Sequence, residues 1–143
     1  MGIKDLWDGV PEFARFNVSG FIGTILFQQM NNFVYYSVQD FESEYKSSVV
    51  FGVCYVVSCL WQHALHRHLV FGTNGPYLKS LLGFYASYSI SIVLSPIINA
   101  ILTVYVGLSM EMAYWATLVI GGVVNYFMAA FILGGKVTEE KSA

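Results

Sequence analysis

Charge is what this sequence has least of. Only 11% of its 143 residues are Asp, Glu, Lys or Arg, against roughly 25% in an ordinary soluble domain. None of them falls within Phe16–Gln39, Ser47–His66, Ser80–Met110 or Met112–Gly135. The missing carboxylate inside these runs argues against a proton-coupled exporter, which works through an intramembrane acid. Cysteine is also scarce. Cys54 and Cys59 are the only two, and at about 140° apart around one helix they have poor disulfide geometry and read as small apolar core residues. Of the few prolines, Pro96 alone lies within a charge-free run, where it is expected to kink a helix and free a carbonyl near Ile92. No Gly-rich phosphate loop follows a strand, and no His and carboxylate are spaced to serve a serine nucleophile. The expectation is a non-enzyme, with no nucleic-acid partner and no length left for a soluble domain.

Apolar residues fill the space that charge vacates, at 56% of the chain. Each charge-free run can cross a ~30 Å hydrocarbon layer as a helix of about 20 residues. The sequence therefore predicts an all-α membrane protein with four transmembrane helices, at about 16–39, 47–68, 80–106 and 112–135. A tail at 1–15 precedes them and one at 136–143 follows. Lys4, Arg15, Arg67, Lys79, Lys136 and Lys141 flank one side, and only Lys46 the other. The positive-inside bias puts both termini in the cytoplasm or its equivalent, in the inner membrane or an organelle membrane. Residues 1–15 lack the apolar core of a cleavable signal, so the first span is expected to direct its own insertion. Trp and Tyr near span ends suit interfacial belts.

Small and polar residues at four-residue spacing mark the faces on which membrane helices meet. Gly20, Thr24, Gln28 and Asn32 form such a stripe, and a shift of 63 residues carries it onto Gly83, Ser87, Ser91 and Ser95. The same shift carries Cys54, Ser58, Gln62 and His66 onto Thr117, Gly121, Asn125 and Ala129. This predicts two tandem helical hairpins in a parallel repeat.

Arg15-Phe16-Asn17-Val18-Ser19-Gly20 opens the first span. Gln62-His63-Ala64-Leu65-His66-Arg67-His68-Leu69-Val70-Phe71 closes the second, and Asn125-Tyr126 lies in the fourth. On these motifs the chain, from about residue 13 to 135, resembles the GtrA-like family of small four-span membrane proteins. Gln62-His63 stands where that family has an Asn-Phe pair. The resemblance implies translocation or presentation of polyprenyl-phosphate-linked sugars for polysaccharide or glycan assembly, beside a glycosyltransferase.

Two candidate sites follow. Arg15, His66, Arg67 and Lys79 gather at one membrane face, where cations and imidazoles suit a lipid phosphate. Gln28, Asn32, Gln62, His63 and Asn125 offer amide and imidazole groups for a polar seam past which a hydrophilic head group can move. His63 and His66 are one turn apart, but no carboxylate or Cys completes a metal set, so no metal or other cofactor is expected. Membrane lipids and a homo-oligomeric or hetero-complex assembly are the expected partners. Two other readings stay open: a non-catalytic subunit of a photosynthetic or respiratory complex, in which a histidine would ligate chlorophyll or another pigment, and a small-molecule exporter.

Overall fold

The computed structural model describes residues 3–71 and 75–124, and every regular element among them is helical. Helix α1 spans Ile3–Asp8 and ends at Gly9. Pro11, in an extended conformation, starts α2 (Glu12–Ser37), because a proline ring presets the entry to a helix and its missing N–H is not needed there. Glu12 in the first turn complements the helix dipole. The acidic segment Asp40–Glu44 then interrupts the apolar run, and α3 (Lys46–His66) follows, ending in a π-helical turn at Arg67–Phe71. Gly75, with φ 82°, and Pro76 lead into α4 (Tyr77–Ala100). A positive φ is a conformation in which glycine alone is unstrained. Helix α4 continues through Pro96 and finishes in a second π-helical turn, Ile101–Tyr105. Gly107, at φ 77°, reverses the chain into α5, described over Met110–Val124.

Among the described residues two helices are long and apolar enough to cross a membrane: Lys46–Phe71, which is α3 with its π-turn, and Tyr77–Tyr105, which is α4 with its own. Helix α2 has 26 residues, about 39 Å at 1.5 Å per residue. Its amides Gln28, Gln29, Asn31 and Asn32 hold its hydropathy below that of the other two. The stretch Met110–Val124 is apolar but shorter. The expected fourth span past residue 124 and the C-terminal tail lie outside the described residues.

Helix α3 is the centre of the arrangement, packed against α2 on one side and α4 on the other. Phe27, Val50, Phe51, Cys54 and Tyr114 form the buried core. Phe27 meets Phe51 edge-on at 5.1 Å and Tyr55 face-on at 5.6 Å, arrangements that suit the aromatic quadrupole. Cys54 and Cys59 are buried and unbridged. Close approach occurs where side chains are small. An added Cβ on Gly52 would lie 3.3 Å from two ring carbons of Pro96, so α3 and α4 touch there.

The buried faces follow the expected stripe on α3, follow half of it on α4 and depart from it on α2. Cys54, Ser58 and His66 are buried on α3, with Gln62 half-buried, whereas on α4 Ser91 and Ser95 are buried, continued by Asn99, while Gly83 and Ser87 are exposed. On α2 the buried row is Ser19, Gly23, Phe27 and Asn31, one residue before the expected Gly20, Thr24, Gln28 and Asn32. The two rows sit about 100° apart, and Gly20 and Thr24 line a cavity instead. A 63-residue shift would carry the buried α2 row onto Leu82, Ala86, Ile90 and Leu94, all exposed. Burial therefore does not repeat between α2 and α4 in that register.

Buried polar groups join the helices at the end away from the histidines. Ser47 Oγ donates to Asn99 Oδ1 at 2.9 Å, and Asn99 Nδ2 donates to Thr117 Oγ1 at 3.4 Å, tying α3, α4 and α5. The Tyr45 phenol, just outside α3, is pushed above its ordinary range by its hydrogen bond with Tyr105 and then by the charge of Glu44. Helix α1 is held at the opposite end, where Trp7 Nε1 donates to Leu69 O at 2.8 Å. That carbonyl belongs to the π-turn.

Candidate functional site: two neighbouring cavities at the histidine end

The helix spacing of His63 and His66 puts both imidazoles on neighbouring positions of one α3 face, and both are buried. They reach in different directions. His66 Nδ1 lies 2.7 Å from Ser19 Oγ on α2, and His63 Nε2 lies 2.7 Å from Ser80 Oγ on α4. The pair therefore links three helices. Aromatic rings enclose it: Phe16 stacks on His66 with centroids 4.7 Å apart and planes 9° from parallel. Tyr77 and Phe84 meet His63 edge-on at 5.0 and 5.7 Å. His63 Nδ1 is buried without a hydrogen-bond partner, an unusual condition for a native polar atom and one that marks a place for a ligand or water.

Two cavities open beside these rings. The first, about 240 Å³, is polar and lies between α3 and α4, lined by His63, His66, Arg67, Ser80 and Ser87 together with Phe71, Gly83 and Phe84. The second, about 290 Å³, lies between α2, α3 and α4, with Leu118 of α5 at its edge. Its wall is aromatic, with Phe16, Phe21, Phe27, Tyr55, Phe84 and Tyr88, and its polar groups include Thr24, Gln62 and His66. His66 and Phe84 line both cavities. Among the described residues no Asp or Glu lines either.

Arg67 supplies the positive charge. Its Nη2 donates to Gly75 O at 2.8 Å, and its guanidinium sits 5.4 Å from the centre of the Tyr77 ring. The carbonyl and the ring fix a planar group that has five donors in all. Gln62 is fixed differently: its amide occupies the space that a Cβ on Gly23 would fill. The neighbouring Trp61 donates its Nε1–H to Gly23 O at 3.3 Å, so glycine at 23 lets α2 and α3 approach over this amide.

Of the expected phosphate ligands, His66 and Arg67 meet in the polar cavity, joined there by His63. Lys79 is exposed on α4 beside Ser80 and lines neither cavity. Arg15 also lines neither, and its Nε is buried without a hydrogen-bond partner. Of the expected seam, Gln62 faces the aromatic cavity. Gln28 and Asn32 are half-buried farther along α2, and neither lines these cavities. Asn125 lies outside the described residues. Ser19, Ser80 and the ring of Phe84 were not legible as site residues. Ser19 pairs with a residue 47 positions away and Ser80 with one 17 away, and no local spacing encodes such pairs.

Fold and site together define a helical protein with, among the described residues, two membrane-length helices and a polar cavity that shares His66 and Phe84 with an aromatic one. The chain matches no family model, and no curated protein or solved structure matches it.

Proposed function

We propose that this chain is a multi-pass membrane protein that binds a polyprenyl-phosphate-linked sugar and translocates it or presents it to a glycosyltransferase, without itself catalysing a reaction. The observation that carries the reading is that His66 and Phe84 line both cavities. A phosphate needs the donors that Arg67, Ser80 and His63 place around the polar cavity. A glycosyl group and the start of a hydrocarbon chain suit the aromatic cavity, whose wall is mainly apolar with a few hydrogen-bonding groups. The resemblance of Arg15–Gly20 and Gln62–Phe71 to GtrA-like motifs supports the same ligand. Movement of such a lipid can run downhill as product is consumed, which fits a cavity pair lined by no carboxylate among the described residues.

The test is transbilayer movement of a fluorescent polyprenyl-phosphate glycoside in vesicles carrying the purified full chain. Wild type is expected to accelerate movement or, if it only presents the lipid, to bind it saturably, and Arg67→Ala to weaken either effect. Vesicles that show neither movement nor saturable binding would refute the proposal.

A further inference from the structure

The hydrogen bonds around Ser19 fix more than the position of His66. Ser19 Oγ lies 2.9 Å from Phe16 O and 2.7 Å from His66 Nδ1. A serine hydroxyl has one hydrogen. If that hydrogen pointed at His66, the serine oxygen and the Phe16 carbonyl would face each other across 2.9 Å with no proton between them. If it points at Phe16 O, both contacts become hydrogen bonds, with His66 Nδ1–H donating to Ser19 Oγ. The ring is then the Nδ1–H tautomer. In a neutral imidazole this leaves Nε2 as an acceptor, and it has no hydrogen-bond partner among the described residues.

The ring cannot turn away from this task. His66 is only 5% exposed and lies flat against Phe16, at the junction of the two cavities. A lone pair at that junction repels the oxygens of an ionised phosphate and attracts an O–H. Arg67, lining the polar cavity alone, offers only donors and has the opposite preference. The aromatic cavity that His66 lines is also lined by Gln62, whose amide can both donate and accept. Its 290 Å³ is room for about ten waters at ~30 Å³ each, the scale of one glycosyl unit.

We infer that His66 Nε2 accepts a hydrogen bond from a hydroxyl of a single glycosyl group, and that Ser19 is the positioning residue that keeps this nitrogen bare. The inference rests on the functional reading above and adds the feature that separates a glycosylated lipid phosphate from the same lipid without its sugar. The phosphate then belongs to the Arg67 side of the junction and the sugar to the aromatic side.

The experiment joins a spectroscopic readout to a binding ratio, both on the full chain in lipid nanodiscs. Ring-nitrogen NMR of isotope-labelled histidine, with His66→Gln to assign the signal, is expected to show Nδ1 protonated and Nε2 bare in wild type. Ser19→Ala should shift the population toward Nε2–H, and Ser19→Thr, which keeps a hydroxyl, should restore the wild-type pattern. In parallel, affinities are measured for a polyprenyl-phosphate glycoside and for the bare polyprenyl phosphate. Wild type should favour the glycoside, with the preference falling about two- to tenfold in Ser19→Ala, the range of one net hydrogen bond, and returning in Ser19→Thr. An Nε2–H ring in wild type, equal affinity for the two lipids, or an unchanged ratio in Ser19→Ala overturns the inference and leaves the functional reading standing. If neither lipid binds wild type, the functional reading falls and takes the inference with it.

Discussion

Asn99→Ala removes a fully buried side chain that joins α4 to both α3 and α5. Two effects follow. Ser47 Oγ and Thr117 Oγ1 each lose a partner, and a small void opens among helices held together by contact rather than by the expulsion of water. Hydrogen bonds between membrane helices average about 0.6 kcal/mol, so the two bonds account for about 1.2 kcal/mol and the void adds to that. Ser47→Ala cuts only the 2.9 Å bond and should cost about 0.6 kcal/mol. The two sites share a partner, so their effects should not add. A double-mutant cycle should return a coupling near 0.6 kcal/mol and below about 1.7, the upper end for such bonds. The assay is reversible unfolding in mixed detergent–lipid micelles, followed by helical circular dichroism. A coupling of zero would mean that Ser47 and Asn99 do not bond in the folded protein, and the tie between α3 and α4 at this end would have to be abandoned.

Other substitutions probe other contacts. Gly52→Ala sets a methyl 3.3 Å from the rigid Pro96 ring and should cost about 1–3 kcal/mol by overpacking, read in the same unfolding assay. Gly23→Ala should behave differently. The obstructing atoms are the end of the flexible Gln62 side chain, and alanine favours the helix by up to ~1 kcal/mol over glycine. Stability should therefore change little, while glycoside binding falls as Gln62 is displaced from the aromatic cavity. Trp7→Phe keeps the ring but removes the N–H that holds Leu69 O. It should weaken the docking of α1 by about 0.5–1.5 kcal/mol, seen as faster amide exchange confined to residues 3–10.

The helical character was legible because charge and proline are scarce over long stretches, and the buried face of the C-terminal part of α4 was legible because Ser91, Ser95 and Asn99 are the polar positions between Ile90 and Ala100. On α2 the same reasoning met two competing rows. Ser19, Gly23 and Asn31 are as small or polar as Gly20, Thr24 and Asn32. The deciding residue is Phe27, whose burial against Phe51, Tyr55 and Tyr114 gives no signal in a helix where other large apolar side chains, such as Phe21, Leu26 and Phe33, are exposed. Gln28 and Asn32, the α2 amides of the expected seam, line neither cavity, and of the amides in that set among the described residues only Gln62 does. At the site, His66 and Arg67 stood out as a dense polar cluster at a helix end. Their partners came from other helices, and which serine an imidazole meets depends on how those helices cross.

Both membrane-length helices end in a π-helical turn, Arg67–Phe71 and Ile101–Tyr105. Such a turn closes its hydrogen bond one residue later than an α-turn and so stores one residue more. Each turn is a place where the chain can lose a single residue and fall back to regular α pitch, with everything N-terminal to it left in register. The same deletion inside Lys46–His66 would rotate one part of the helix by about 100° against the rest and separate His63 and His66 from the face they share. The two ends of this protein are thus open to length variation in a way that its middle is not, and the carbonyl that Trp7 grips lies within one of those adjustable turns.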